Sequence, residues 1–304
     1  YIDLRECQIS YNPLLMAELW EAAATKEVRL LALSLKKRHH LPQGCAWVNY
    51  VRCHDDIGWT FADEDAAELW IKGKDHRDFL NAFYMGEFPG SFSRGVSFQY
   101  NPVTGDRRIC GTAASLAGIE KALEEGTGKE LDRAIRRLIL LYGIAFAAGG
   151  IPLIYLGDEV ATLNRYEYAE DPAQAKDSRW VHRPLWSDEL FKKRYDTSTV
   201  EGRVFTAMQR LATQRKAHRV FGTQGLSVAD AGHPSVLTFH KQAPGELLTV
   251  IGNFSESPAT IGAERVSLLL AGKNGKDLLS DRLIISGEAL ELQSCELLWI
   301  INHE

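Results

Sequence analysis

The sequence lacks the features of a membrane protein and of a nucleic-acid-binding protein. It contains no apolar run of about 18 residues and no N-terminal signal-peptide pattern. Its formal net charge is −5 at pH 7, so it has no excess of basic residues for a phosphate backbone. We therefore expect a cytoplasmic protein that binds neither nucleic acid nor a membrane.

Cysteine is scarce, and its arrangement argues against a disulfide framework. The five cysteines are dispersed, without a C-x-x-C pair, at Cys7, Cys45, Cys53, Cys110 and Cys295. An odd number of isolated cysteines is typical of reduced thiols in the cytoplasm. The adjacent His39 and His40 would point about 100° apart on a helix, so they could not easily share a metal ion. We expect neither a metal ion nor another cofactor.

What the sequence does contain is a pair of short apolar strands that end in charged residues. Residues 46–51 are followed at 52–56 by Arg-Cys-His-Asp-Asp, and residues 151–156 are followed at 157–159 by Gly-Asp-Glu. Between them, residues 131–149 have apolar positions at helical spacing and end in two glycines. A strand, a helix and a strand with polar ends are typical of a parallel α/β sheet or barrel, where such ends converge. The alternative is a polar turn followed by an Asp-capped helix.

Several motifs, taken together and in order, resemble glycoside hydrolase family 13, the α-amylase clan, and within it the amylosucrases. The motifs are Asn49-Tyr50-Val51-Arg52 with Cys53-His54-Asp55-Asp56-Ile57-Gly58-Trp59, Phe98-Gln99-Tyr100-Asn101-Pro102, Gly105-Asp106, Gly150-Ile151-Pro152-Leu153-Ile154-Tyr155-Leu156-Gly157-Asp158-Glu159, Asp177-Ser178-Arg179-Trp180 and His182-Arg183-Pro184. The resemblance covers nearly the whole chain. Cys53 stands where the amylosucrase form has serine, a residue of similar size.

The resemblance implies an α/β fold: the C-terminal part of a (β/α)8 TIM barrel with an inserted loop subdomain, followed by an all-β sandwich. Strands six to eight of the barrel are expected at 6–11, 46–51 and 151–156. Helices are predicted over 13–39, with a break near Thr25, and over 199–218. The sandwich is indicated by alternating strands at 235–240, 247–254 and 295–301.

This fold divides the chain into three parts. The barrel is expected to occupy residues 1–56 and 123–219, the inserted subdomain after the seventh strand residues 57–122, and the antiparallel β-sandwich residues 220–304. A complete eight-stranded barrel needs about 250 residues, more than these segments provide. The N-terminal half of the same enzyme, or another chain, is therefore expected to complete the barrel, and the isolated chain is expected to be inactive.

The resemblance also implies roles for the residues after the seventh strand. Retaining glycoside cleavage uses a carboxylate nucleophile and a carboxylic acid/base, which would lie in the absent half. Asp55 corresponds to a third carboxylate, whose charge stabilises the oxocarbenium-like transition state. A helix cap is the alternative role for Asp55. His54 is expected to hydrogen-bond hydroxyls of the glucosyl ring.

Further substrate-binding residues are implied on both sides of this carboxylate. Arg179 resembles an arginine that closes the glucosyl pocket through an ion pair with an aspartate of the absent half. Asp56 and Arg108 resemble residues on the fructosyl or acceptor side, although a shift of one residue would replace Arg108 by Arg107. Arg77 is expected to contact a longer glucan acceptor, with a solvated helix face as the alternative.

The function implied by the resemblance is a glucosyltransferase that acts on sucrose and an α-1,4-glucan. It would transfer glucose with retention and release fructose. The alternatives are a sucrose hydrolase, another α-amylase-clan glycosidase, and an inactive carbohydrate-binding fragment or partner in a split enzyme. A binding fragment would stack sugar rings on aromatic side chains such as Trp59, Phe88, Phe92 and Tyr100, although most of these are more simply core residues of the inserted subdomain. Asp158 and Glu159 are expected to be structural polar groups.

Overall fold

The computed structural model describes residues 2–303, which form a mixed α/β fold with a large antiparallel sheet. The strands are β1 Ile9–Tyr11, β2 Ala46–Tyr50, β3 Val96–Phe98, β4 Arg108–Cys110, β5 Ile151–Leu153, β6 Ser227–Asp230, β7 Val236–Ala243, β8 Glu246–Asn253, β9 Ala259–Ile261, β10 Gly275–Asp277, β11 Leu283–Ile284, β12 Leu290–Leu292 and β13 Leu297–His303. The α-helices are α1 Pro13–Thr25, α2 Arg29–Arg38, α3 Asp63–Glu68, α4 Gly73–Tyr84, α5 Ala113–Leu116, α6 Ile119–Glu124, α7 Gly128–Ala147, α8 Asp188–Lys192, α9 Val200–Ala217 and α10 Ala263–Leu269. Within these residues, no helix has the length and apolar character needed to cross a bilayer.

The strands predicted in the first half of the chain form a small parallel sheet. Its order is β1-β2-β5, and both pairings are parallel, with Ser10 opposite Trp47 and Asn49 opposite Pro152. β1 begins later and β5 ends earlier than predicted, because only the residues in register with β2 are hydrogen-bonded. The carboxyl ends of β2 and β5 therefore lie at the same edge, as the strand–helix–strand pattern predicted.

Local capping signals explain the helices that flank this sheet. The Asn12 side chain accepts a hydrogen bond from the Leu15 N–H at 3.1 Å, and Pro13 occupies the first turn of α1. Lys26 has a φ of 61° and ends α1, so the predicted break near Thr25 is confirmed. α7 begins with a capping box in which Thr127 and Glu130 satisfy each other's backbone N–H groups.

Residues 57–122, predicted as an inserted subdomain, contain α3, α4, α5, the antiparallel hairpin β3–β4 and the first part of α6, which continues to Glu124. The hairpin is tied to the segment after β2 by reciprocal backbone hydrogen bonds between Ile57 and Ile109, at 2.8 and 3.0 Å. These bonds hold β4 beside the polar residues that follow β2. The division of the chain into domains remains a prediction.

The C-terminal region is built around an antiparallel sheet of order β11-β10-β13-β8-β7-β6. Alternate residues of β13 point to its two faces: Trp299 lies in the core cluster that includes α7, whereas Leu298 and Ile300 lie in a second cluster. β9 pairs with β12 in a separate two-stranded sheet. The predicted strands at 235–240, 247–254 and 295–301 are confirmed with shifted ends.

Two carboxyl groups of α1, those of Glu18 and Glu21, are buried in the core. Glu18 is 1% exposed, and its Oε1 atom has no hydrogen-bond partner. Burial raises the pKa of Glu18 well above its ordinary value, although a hydrogen bond from Ser34 acts in the opposite direction. A carboxyl group with a raised folded-state pKa loses stabilising free energy as the pH rises above its unfolded pKa. Glu18→Gln is therefore expected to stabilise the fold by about 1–3 kcal/mol at pH 8.

Urea unfolding at pH 8 and pH 5 measures this effect. The gain from Glu18→Gln is expected to shrink at pH 5, where the native glutamate is protonated to a greater extent. Glu288→Gln removes an exposed carboxylate and is the control, expected to change the unfolding free energy by less than about 0.5 kcal/mol. A loss of stability at pH 8, or an equal gain at both pH values, would contradict this account of Glu18.

Candidate active site

A cleft of about 610 Å³ opens beside the carboxyl end of β2. Every candidate site residue proposed from the sequence lines it: His54, Asp55, Asp56, Arg77, Arg108 and Arg179. Three of them follow β2 directly, while α4, β4 and a 3₁₀ turn at Ser178–His182 contribute the arginines. The tertiary structure thus brings together residues that are far apart in the chain.

Asp55 is held in the cleft as an ionised group. Its Oδ1 atom accepts a hydrogen bond from Arg179 Nη1 at 2.8 Å, and its side chain is half-exposed. The hydrogen bond and charge of Arg179 lower the pKa of Asp55, with a smaller contribution from His54. A carboxylate that stays charged and accessible is chemically suited to stabilise positive charge on a bound sugar.

Arg179 uses both edges of its guanidinium group within this chain. Its Nε and Nη2 atoms each lie 2.9 Å from a carboxylate oxygen of Asp177, while Nη1 contacts Asp55. The ring of Phe98 lies below the guanidinium at 4.8 Å. The resemblance implied a pairing with an aspartate outside the chain, and that pairing stays a prediction.

Asp56 and Arg108 meet on the other side of the cleft. Arg108 Nη1 lies 3.3 Å from Asp56 Oδ2, so a residue after β2 and a residue on β4 form an ion pair. The neighbouring Arg107 instead stacks on the Tyr100 ring at 4.5 Å, and its Nη1 lies 3.4 Å from Met85 Sδ. Arg108, rather than Arg107, is therefore the arginine that contacts Asp56.

Arg77 is held by the chain itself. Its Nε and Nη2 atoms donate to the carbonyls of Trp59 and Phe61, both at 3.1 Å, and its Nη1 donates to Asp63 at 2.8 Å. It also lies over the Phe61 ring at 4.3 Å. Arg77 thus braces the cleft at the start of residues 57–122 and presents only part of its side chain to the opening.

His54 differs from its neighbours because its side chain is largely exposed. The Nε2 atom lies 4.0 Å from Asp55 Oδ2, and its side chain is 61% exposed. Its carbonyl oxygen is fixed, accepting from Arg183 Nε at 2.8 Å and lying 3.2 Å from His182 Nε2. The backbone is therefore anchored while the imidazole ring remains free to meet a ligand.

Next to these residues lies a buried polar network around Arg52 and Asp158 that no sequence pattern indicated. Arg52 is 1% exposed, and its Nε atom donates to both carboxylate oxygens of Asp158, at 2.8 and 3.1 Å. Arg52 Nη2 is also 2.8 Å from Asp158 but lies off the hydrogen-bonding direction, so that contact is electrostatic. Tyr142 donates to the same carboxylate at 2.5 Å. These contacts agree with the structural role expected for Asp158.

The aromatic residues proposed as sugar platforms lie in different places. Trp59 lines the cleft, but its ring stacks on Tyr84 at 5.3 Å and its Nε1 donates to Asn81 at 2.8 Å. Phe92 packs edge-on against Phe83, and the guanidinium of Arg137 lies over its ring. Phe88 also packs on Phe83, and Tyr100 lies under Arg107. Trp59 is buried against its neighbours, whereas Phe88 and Tyr100 are 42% and 53% exposed; of the four, only Trp59 lines the cleft in the described part of the chain.

Comparisons with known proteins identify the class to which this fold belongs. No protein-family model matches the sequence. Glucosylglycerate phosphorylase of Escherichia coli (strain K12) is 25% identical over 166 residues, which are 54% of this chain and 28% of that protein. A variant of AmyP solved with maltotriose matches 97% of this chain and 50% of its own, with a TM-score of 0.61 and 14% identity. Sucrose 6F-phosphate phosphorylase from Thermoanaerobacter thermosaccharolyticum matches 96% of this chain and 49% of its own, with a TM-score of 0.58 and 15% identity.

These likenesses establish a shared fold with amylase-type carbohydrate-active enzymes. The chain spans about half the length of the solved structures that it resembles and 28% of the curated relative. The activities of those proteins belong to their full-length chains, of which this chain matches only a part. The activity and the substrates of this chain are therefore matters for proposal.

Proposed function

We propose that this chain is part of an amylosucrase-type enzyme of glycoside hydrolase family 13 and supplies strands six to eight of a (β/α)8 barrel. The enzyme would cleave sucrose, transfer glucose with retention to an α-1,4-glucan and release fructose. The observation that carries this proposal is the ionised Asp55, beside His54 and paired with Arg179, in a cleft at the carboxyl ends of parallel strands.

In this mechanism Asp55 of this chain stabilises the positive charge of the transition state. Groups in the rest of the enzyme form and break the bonds to the anomeric carbon. A carboxylate outside this chain attacks the anomeric carbon, and a carboxylic acid protonates the departing fructosyl oxygen. A glucan hydroxyl then attacks the anomeric carbon of the glucosyl–enzyme intermediate, gives its proton to the same acid/base group, now a carboxylate, and releases the nucleophilic carboxylate. Asp55 favours the cationic transition state over the neutral sucrose, which is the kind of binding that raises kcat.

The acceptor side would be formed by the Asp56–Arg108 pair. The Arg108 side chain is 51% exposed and that of Asp56 7%, so a sugar hydroxyl would bond to Arg108 while Asp56 holds the guanidinium in place. Arg77 would extend this side toward a longer glucan. The partition between transfer and hydrolysis then depends on how well this side binds a sugar relative to water.

A phosphorylase is a second candidate, favoured by Arg107 and by two relatives. Arg107 lines the cleft and has no carboxylate within ion-pair distance among residues 2–303, so it could receive an anionic acceptor. Two of the proteins that the chain resembles are phosphorylases: glucosylglycerate phosphorylase and sucrose 6F-phosphate phosphorylase. A sucrose hydrolase and an inactive carbohydrate-binding part remain the further alternatives.

The proposal requires the remaining barrel strands, from a longer protein or a second chain. The edge strands of the parallel sheet support it, because Ile9 and Tyr11 of β1 are 52% and 54% exposed and Ile151 of β5 is 45% exposed. Parallel sheets are usually covered on both faces and continue from strand to strand. We call this chain together with those strands the complete enzyme.

A product assay on the complete enzyme tests the function. Incubation with sucrose alone, with sucrose and a maltooligosaccharide, and with sucrose and phosphate distinguishes the candidates, with intact mass defining the chains present. An amylosucrase releases fructose and lengthens the glucan, a hydrolase releases equal glucose and fructose, and a phosphorylase forms glucose 1-phosphate. Saccharide binding without cleavage would support the binding alternative. Sucrose cleavage by the 34.0 kDa chain alone would contradict the placement of the nucleophile and acid outside it.

A further inference from the structure

One imidazole ring links the two sides of the cleft through the backbone. His182 is 1% exposed and ends the 3₁₀ turn Ser178–His182. Its Nδ1 atom accepts a hydrogen bond from the Gly111 N–H at 3.1 Å, and its Nε2 atom lies 3.2 Å from the His54 carbonyl oxygen. Gly111 directly follows β4, whereas the His54 carbonyl belongs to the peptide that joins His54 to Asp55.

The two contacts determine where the ring carries its proton. A backbone N–H can only donate, so Nδ1 must be the unprotonated acceptor, and Nε2 carries the hydrogen that faces the His54 carbonyl. Burial, reinforced by the charge of Arg52, lowers the pKa of His182 to about 3. The ring is therefore neutral, with a single tautomer, at neutral pH.

The backbone carbonyls of His182 and His54 are held by two arginines. Arg52 Nη1 donates to the His182 carbonyl at 3.0 Å, and Arg183 Nε donates to the His54 carbonyl at 2.8 Å. At the other end of the same turn, Ser178 Oγ donates to the Ser97 carbonyl at 2.9 Å, which attaches the turn to β3. A displacement of the ring would therefore move the peptide before Asp55 relative to the β3–β4 hairpin.

We propose that His182 is a positioning residue that sets the placement of Asp55, on the glucosyl side, relative to Arg108, on the acceptor side. It acts through the His54–Asp55 peptide and through the end of β4, without touching substrate. For its effect on turnover, this inference rests on the proposed function. Displacements of about 1 Å in a catalytic group can lower rates about 10²-fold, so the bridge matters for catalysis as well as for stability.

The first experiment measures the bridge without any substrate. Hydrogen–deuterium exchange of the complete enzyme compares the wild type with His182→Ala. We expect peptides covering 52–57 and 109–113 to exchange together about 5-fold faster or more in the variant, since each loses a hydrogen bond of about 1 kcal/mol. A change in only one of these segments, or in neither, would overturn the proposed bridge.

The second experiment separates the two contacts by their effect on turnover. In His182→Gln the amide nitrogen can replace Nε2 and still donate to the His54 carbonyl, whereas in His182→Asn the amide oxygen can replace Nδ1 and bind only Gly111. We expect His182→Asn to lower kcat for fructose release about 10–100-fold with KM within about 3-fold, and His182→Gln to keep kcat within about 5-fold. Both variants lack one end of the bridge, so both are expected to shift the ratio of transfer to hydrolysis.

A matched control distinguishes positioning from general stability. His240 is a partly buried histidine whose Nε2 atom, like that of His182, lies near a backbone carbonyl: the Leu269 oxygen, at 2.9 Å, in the C-terminal region. His240→Asn is expected to lower thermal stability about as much as His182→Asn but to leave kcat and the product ratio unchanged. Equal kinetics for His182→Asn and His240→Asn would overturn the positioning role. If the wild type releases no fructose, the proposed function is wrong. The hydrogen–deuterium exchange result still shows whether His182 links the two backbone segments.

Discussion

Asp55→Asn is expected to lower fructose release from sucrose by about 10²–10³-fold in the complete enzyme. Asparagine keeps the size of the side chain but removes the negative charge that faces the cleft beside His54. The oxocarbenium-like transition state then loses its electrostatic partner, whereas neutral sucrose loses little. The loss should therefore fall on kcat, with a small change in KM, when initial rates are measured over a range of sucrose concentrations.

Two further variants help to interpret the Asp55→Asn result: a control at Asp106 and a second test at Arg179. Asp106→Asn makes the same chemical change at an exposed carboxylate that lines the same cleft, and it is expected to keep kcat within about 3-fold. Arg179→Gln removes the group that lowers the pKa of Asp55, so the acid limb of the pH–rate profile should move to higher pH. Retention of more than a tenth of wild-type kcat in Asp55→Asn would count against the assigned role.

Asp158→Asn is expected to destabilise the fold by about 3–5 kcal/mol. The change leaves the guanidinium of Arg52 buried without a counter-charge, because Asp158 is fully buried and supplies both oxygens that Arg52 Nε contacts. It also weakens the hydrogen bond from Tyr142. Urea unfolding monitored by circular dichroism measures the change in unfolding free energy.

The double variant Arg52→Met with Asp158→Leu tests the cause of this loss. Removing both charges leaves no unpaired ion, so the double variant should be more stable than Asp158→Asn alone. Glu27→Gln breaks an exposed ion pair with Arg29 and should cost less than about 1 kcal/mol. A small loss in Asp158→Asn, comparable with that in Glu27→Gln, would mean that the buried pair contributes little.

Much of the local structure could be predicted because its causes are local. The cap formed by Asn12 and Pro13 starts α1, the Thr127–Glu130 capping box starts α7, and apolar alternation identifies β7, β8 and β13. The start of β1 could not be predicted in the same way. Ile9 begins that strand only because it lies opposite Ala46 in the parallel register, which is a property of two segments rather than one.

The candidate site likewise has some features that follow from the local sequence and others that depend on tertiary contacts. The sequence by itself determined that polar residues follow an apolar strand at 52–56, and that a resemblance to α-amylase-type enzymes attaches roles to them. Only the tertiary structure decided that Arg179 contacts Asp55, that Arg108 contacts Asp56, and that His182 bridges two backbone segments. Hydrogen bonds and ion pairs act over about 3 Å, so partners distant in the chain are fixed only when the strands, the hairpin and the 3₁₀ turn pack together.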